Sequence, residues 1–233
     1  MSDDPVLTAA TALARELADP VRLTALQLLA SEGPHTASRL AEALAVSAPR
    51  LGNHLARLRE AGLVTVEHTG RHAVYRVADA GLGEVLNALF GYAGGTAPGT
   101  RRPRASAPAD IAHTCYDHAA GLLGVRLLGT LVERGAVRAP DGRTDELALG
   151  PDPTALVDLG VDPSTVATGR RRPAVACLDR TYRLPHLGGE LGRAILDALL
   201  RDGAVERTPG GRTLTVTPAG AARLAALLPG FTC

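Results

Sequence analysis

The stretch Ser47-Ala48-Pro49-Arg50-Leu51-Gly52-Asn53-His54-Leu55-Ala56-Arg57-Leu58-Arg59-Glu60-Ala61-Gly62-Leu63-Val64 decides the fold. Its spacing predicts a capped amphipathic helix that stops at a glycine and runs into a strand. Ser47 is placed to accept a hydrogen bond from first-turn amides, and Pro49 falls where a missing N–H costs little. Leu51, Leu55 and Leu58 recur at i, i+4 and i+7, which makes a core stripe. Arg50, Asn53, His54 and Arg57 share a neighbouring arc that carries only donors and amphoteric groups. Such groups match phosphate oxygens and purine edges in a major groove.

The flanking sequence supplies the rest of a motif. Asp19-Pro20 opens an apolar segment, Val21 to Ala30, which Gly33-Pro34 ends. Thr36 is a cap for a second short helix with Leu40, Ala41 and Leu44 inward. A brief turn at Ala45-Val46 then leads to Ser47, the order of a helix-turn-helix. Beyond Gly62, Leu63 to Glu67 and Ala73 to Val77 alternate as strands, joined by His68-Thr69-Gly70-Arg71-His72. Helices followed by a β-hairpin make a winged helix. Ser47 is expected on phosphate at the helix start, and Arg71, with His68 and His72, is expected on the flanking DNA from the wing.

Asp19-Pro20-Val21-Arg22-Leu23, Ser47 to Val64 and Gly70-Arg71-His72-Ala73-Val74-Tyr75-Arg76 together resemble the ArsR/SmtB family of bacterial repressors. The resemblance covers residues 8–92. It implies a homodimer that binds double-stranded operator DNA and leaves it when an effector binds or a thiol is modified. It also implies that a terminal helix, here with Leu82, Val85, Leu86, Leu89 and Phe90 in a stripe, pairs with its twin across the dimer. Two metal sites of the family are missing. Thr36 and Ser38 stand where a Cys-x-Cys would, and residues 79–92 offer Asp79 and Glu84 but no histidine.

Composition bounds the remainder. The chain has 233 residues, 45% of them hydrophobic and only 3% aromatic, so its cores are built from Leu, Val and Ala. The net charge is +1, and residues 1–100 hold eight arginines against ten acids, so DNA affinity has to come from local placement. Asp3 and Asp4 stand where a secretory signal needs positive charge. No apolar run reaches the ~18 residues of a membrane span. Three cysteines without finger spacing suggest reduced thiols and a cytoplasmic setting. Neither a glycine-rich phosphate loop nor an oxyanion-hole motif is present, and no catalysis is expected.

The expected fold class is mainly α with small β-hairpins (α+β). It places a winged helix-turn-helix at 1–93, a flexible Gly/Pro/Arg-rich linker at 94–109 and a sensory or dimerisation domain at 110–233. That last part contains a repeat. His118-Ala119-Ala120-Gly121-Leu122-Leu123-Gly124 returns 68 residues later as His186-Leu187-Gly188-Gly189-Glu190-Leu191-Gly192, and Gly135-Ala136-Val137 returns as Gly203-Ala204-Val205. Each copy, near 118–137 and 186–205, reads as a helix, a glycine stop and a hairpin, which gives a tandem winged-helix-like repeat. Neither copy repeats the Arg/Asn/His arc.

An effector site is therefore expected in the C-terminal half. His113, Cys115, Asp117 and His118 form one group, with Cys115 and His118 on one helical face. Cys177, Asp179 and His186 form the counterpart. Cys115, His118, Cys177 and Cys233 are the candidate metal or thiol-sensor residues, with arsenite, zinc or copper as soft ligands or oxidation as the signal. Two alternatives stand beside this. One is a constitutive DNA-architectural or partner-binding protein that senses nothing. The other is a sensor of a small organic ligand.

Overall fold

The computed structural model describes residues 4–69, 72–93, 107–166 and 171–233, without the side chains of Thr69 and His72. Most of the expected linker, residues 94–106, and Arg71 lie outside them. Two compact units form, residues 1–86 with 141–144 and residues 87–140 with 145–233.

The first unit begins with α1 (Pro5–Leu17), capped by Asp4, whose carboxylate accepts from the amides of Val6 and Leu7 at 2.9 and 3.2 Å. None of its residues is buried. Asp19 caps α2 (Pro20–Glu32) in the same way, at 2.9 Å from the amides of Val21 and Arg22. β1 (His35–Thr36) follows, then α3 (Ala37–Leu44) with Thr36 as its cap, and α4 (Ala48–Glu60). β2 (Val64–Thr69) and β3 (His72–Val77) pair from Val64↔Val77 to Thr69↔His72. β1 adds to the far edge of β3, giving strand order β1-β3-β2. α5 (Gly81–Ala93) closes this half of the chain.

Leu26 and Leu29 of α2, Leu40 of α3, Leu51, Leu55 and Leu58 of α4 and Leu86 of α5 are all fully buried. The leucine stripe is thus the element that glues α4 to α2 and α3 and leaves the strip with Arg50 and Asn53 exposed. α1 and β1 were not foreseen, and both hairpin strands run further toward the tip than the alternation suggested.

The second unit continues with α6 (Pro108–Ile111), β4 (His113–Cys115), β5 (His118–Ala120), α7 (Gly121–Glu133), α8 (Thr154–Asp158) and α9 (Pro163–Val166). β6 (Val175–Leu178), β7 (Pro185–Gly188), α10 (Gly189–Arg201), β8 (Val205–Arg207), β9 (Leu214–Val216) and α11 (Pro218–Leu227) complete it. The duplicated element is a hairpin followed by a 13-residue helix: β4–β5–α7, then β6–β7–α10. β5 and β7 are neighbours, and each copy's helix also packs on the other copy's strand, α7 on β7 and α10 on β5.

This corrects the expected order within the repeat. The residues from His118 to Ala120 are strand, and the helix starts only at Gly121. Gly121 and Gly189 have φ of 73° and 77°, the left-handed region that lets the strand turn directly into the helix. A Cβ there would meet backbone oxygens, Asp110 O at 2.7 Å and Arg172 O at 2.9 Å. In the second copy a hairpin, β8–β9, does follow the glycine stop at Gly203. In the first, Gly135 is followed by a single bridge, Val137↔Leu149, instead of the expected hairpin. Leu123, Leu131, Leu156, Leu191, Leu196, Leu199 and Phe231 fill the shared core.

Candidate nucleic-acid interface and thiol–imidazole cluster

The turn before α4 is tight. Ala45 is left-handed, with φ 54°, and donates its N–H back to carbonyls of α3. Ser47 is extended and its carbonyl accepts from Leu51 N at 3.0 Å, but its hydroxyl makes no capping bond. The expected side-chain cap is absent, which leaves the start of α4 open to an external acceptor. Arg50 and Asn53 are exposed, and a Cβ on Gly52 would meet nothing within 4 Å. This strip of α4 is bare.

The other two residues of the expected arc are placed differently. His54 is half-buried, with Nδ1 3.4 Å from the Asp19 carboxylate that caps α2. Arg57 turns back to α1, where its Nε and Nη2 donate to Glu16 at 2.9–3.1 Å. The same Glu16 takes an ion pair from the buried Arg22 at 3.1 Å. Arg22 also donates to the carbonyls of Glu16 and Arg15 at 2.9 and 3.0 Å, closing the end of α1. Within the wing, His68 is exposed on β2 opposite Ala73. The side chains of Arg71 and His72 fall outside the described residues.

The Glu16 carboxyl is held below its usual range, first by the hydrogen bonds from Arg57, with burial opposing and Arg22 assisting. A carboxyl lowered in the folded state stabilises above its unfolded pKa, and the contribution is lost as pH falls through the lowered value. Wild type and Glu16→Gln are expected to differ modestly in melting temperature at neutrality and to converge well below about pH 4. Thermal melts at stepped pH check this, and a difference that grew toward acid would contradict it.

The second assembly sits where the two hairpins meet. Cys115 lies opposite His118 across the β4–β5 turn, and Cys177 lies opposite His186 across β6–β7. The β4–β5 turn has only two residues, Tyr116-Asp117, and the exposed Tyr116 takes a left-handed φ of 62° to close it. Cys115 and His118 are thus cross-strand partners and not helical neighbours as expected. Cys115, His118 and His186 offer ligand atoms within 4.8 Å of one another. The Nε2 atoms of the two buried imidazoles face each other at 3.2 Å. The Cys115 thiol is pushed far down, first by the Cys177 thiol and then by His118 and His186, against the cost of burial.

Of the expected sensor residues, Cys115 and His118 come together in this group, Cys177 lies beside it as the hydrogen-bond partner of Cys115, and Cys233 is exposed and outside it. His186, grouped in the sequence with Cys177 and Asp179 but not among the candidate sensor residues, joins Cys115 and His118, and the repeat is the signal that points to it. His113 is used locally, its Nδ1 2.7 Å from Ala109 O. Asp179 is a buried clamp for the backbone. Asp117 stands behind His118, 3.4 Å from its Nδ1, and Arg171 grips its other oxygen at 2.6 Å. That grip, with His118 assisting, holds the Asp117 carboxyl low.

A helix-turn-helix with a bare second helix and a three-stranded wing defines a winged-helix DNA-binding protein. The family description "bacterial regulatory protein, arsR family" matches residues 19–66. The chain is 32% identical over 205 residues to the uncharacterized HTH-type transcriptional regulator YdfF of Bacillus subtilis, a match spanning 88% of this chain and 90% of that one. It is 39% identical over 89 residues to the HTH-type transcriptional repressor SmtB of Mycobacterium tuberculosis, covering 38% of this chain and 65% of SmtB. The solved transcriptional repressor BigR from Xylella fastidiosa aligns over 39% of this chain and 94% of its own, at 28% identity and a TM-score of 0.34. The chain belongs to the ArsR family of bacterial transcriptional regulators. The match to YdfF takes in both halves, so the C-terminal half is shared with that relative. Among the described residues, no helix is long and apolar enough to cross a membrane.

Proposed function

We propose that the protein is a repressor that binds double-stranded operator DNA as a homodimer and is controlled through its C-terminal unit, by binding and release without catalysis. The bare strip of α4 carries this reading. Arg50 and Asn53 face solvent beside Gly52, where nothing prevents close approach of a groove, and the open helix start at Ser47 suits a phosphate. His68, with Arg71 and His72, serves the flanking backbone. His54 and Arg57 act mainly by fixing α4 against α2 and α1.

Arg50→Ala is expected to weaken binding to operator DNA about 10–100-fold, the worth of one base contact. Arg57→Ala is expected to weaken it less. Fluorescence anisotropy on DNA from upstream of the protein's own gene measures both. Arg50→Ala binding as wild type would place the reading surface elsewhere.

Self-association is supported by unpaired apolar surface on the two outer helices. Val6 and Leu7 of α1 and Val85, Leu89 and Tyr92 of α5 are exposed. Leu86, expected in the same seam, is instead fully buried within its own protomer. Leu89→Glu is therefore the substitution expected to give folded monomers with weak DNA binding, whereas Leu86→Glu unfolds the unit. Light scattering separates them, and a wild-type monomer at micromolar concentration would remove the dimer from the proposal.

A further inference from the structure

We infer that Cys115, His118, Cys177 and His186 form one tetrahedral site for a borderline divalent transition metal of the zinc type, with two ligands drawn from each copy of the duplicated hairpin. This deepens the proposed control by the C-terminal unit, but the site itself does not depend on DNA binding.

The donor set comes first. Two thiolates and two imidazoles are the ligands of a closed tetrahedral zinc site. Each hairpin places one of each directly across from the other. The spacing, Cys-x2-His in the first copy and Cys-x8-His in the second, follows from a two-residue turn and a longer loop.

Geometry comes second. Metal–nitrogen bonds of about 2.0–2.1 Å at a tetrahedral angle put the two nitrogens about 3.3 Å apart. The Nε2 atoms of His118 and His186 stand at 3.2 Å. At most one proton can occupy the line between them, so in the metal-free protein one imidazole spends its lone pair on the other. A cation would take both lone pairs. Cys115 Sγ is already within 4.8 Å of both imidazoles, and the Cys177 thiol is its hydrogen-bond partner.

The surroundings come third. His118 and His186 are 5% and 1% exposed, and His186 Nδ1 has no partner among the described residues. The Asp117 carboxylate behind His118 Nδ1 fixes that ring with Nε2 inward, as outer carboxylates do for metal-bound histidines, and Arg171 fixes Asp117. Gly188 admits a ring: a Cβ there would lie 3.0 Å from His118 Cε1 and 3.2 Å from its Nε2. Gly124 and Gly192 let the two helices close on the carbonyls of Ala119 and Leu187. The half-buried thiols leave a way in from solvent.

The test uses the full chain, reduced, stripped with chelator and titrated anaerobically with cobalt(II). The expected result is one equivalent per chain, with the intense visible bands of tetrahedral cobalt and sulfur-to-cobalt charge transfer in the near ultraviolet, both bleached by zinc. Cys177→Ser should halve the charge-transfer intensity, His186→Gln should abolish the tetrahedral bands with circular dichroism unchanged, and Cys233→Ser should alter nothing. Absence of tetrahedral bands in the wild type overturns the site. So does their survival unchanged in both Cys115→Ser and Cys177→Ser. A Cys115–Cys177 disulfide that forms in air, in protein that binds no cobalt when reduced, overturns it in favour of a redox pair. Cobalt binding with DNA affinity unmoved by zinc keeps the site and removes only the control reading.

Discussion

Asp179→Ala is expected to destabilise the C-terminal unit by about 3–5 kcal/mol, because it strips three amides of their acceptor at once. The carboxylate is 1% exposed. One oxygen accepts from Gly121 N at 2.8 Å, and the other accepts from Thr181 N and Tyr182 N at 2.9 and 2.8 Å. Gly121 opens α7 in the first copy, and Thr181 and Tyr182 lie in the β6–β7 loop of the second. One side chain therefore joins the two copies. For a unit of this size the loss corresponds to a fall in melting temperature of roughly 6–20 °C. Asp179→Asn keeps an acceptor and should lose clearly less. The Ala variant should also lose the cobalt bands, since Cys177 is two residues from the clamp and His118 three residues from its target. Calorimetry and cobalt absorption check the two parts, and an Ala variant within about 1 kcal/mol of wild type would show that the clamp is dispensable.

The second large effect is expected at Leu55→Ala. Leu55 is fully buried at the centre of the α4 stripe, between Leu51 and Leu58, which are buried as completely. Truncation of such a leucine costs about 2–5 kcal/mol through lost transfer energy and a residual cavity. In the smaller N-terminal unit that is roughly 10–25 °C of melting temperature. DNA binding should fall with it, because α4 owes its position to this stripe. Arg50→Ala, in contrast, should lower DNA affinity without moving the melt. Binding curves taken well below the melting temperature separate the two. A Leu55→Ala protein as stable as wild type would mean that α4 is held chiefly from elsewhere.

The helix-turn-helix was legible in the sequence because its signals are local and reinforce one another. Asp19, Thr36, Pro49 and Gly62 mark ends, and the leucines of α4 keep a single period. α1 was not legible. Asp4-Pro5 is a start signal of the same kind, but a helix that buries none of its residues shows no core stripe to read. β1 has two residues and exists only because β3 offers an edge. The direction of Arg57 depends on Glu16, 41 residues earlier, which helical spacing on α4 cannot reveal.

In the C-terminal half the repeat pointed to the paired histidines, and it set Cys177 in the group that matches that of Cys115. The local conformation was misread, because His118 to Gly124 runs without a polar break. The change from strand to helix rests on the backbone of Gly121 alone. Strand geometry, not helix geometry, is what sets Cys115 opposite His118.

The attachment of α1 has an electrostatic consequence. That helix buries no residue of its own, and the charges of Glu16, Arg22 and Arg57 help tie it to α2 and α4. Such contacts weaken as the Debye length falls from about 10 Å at 0.1 M salt to about 3 Å at 1 M, while the leucine seam beneath α4 does not. The same pairing alters the ionic balance at the reading surface. A free arginine that meets a phosphate contributes fully to the release of counterions from DNA. Arg57 would have to exchange one anion for another, leaving Glu16 to Arg22 alone. That arginine should add little to the steepness with which affinity falls as salt rises, whereas Arg50, in the open, should add its full share.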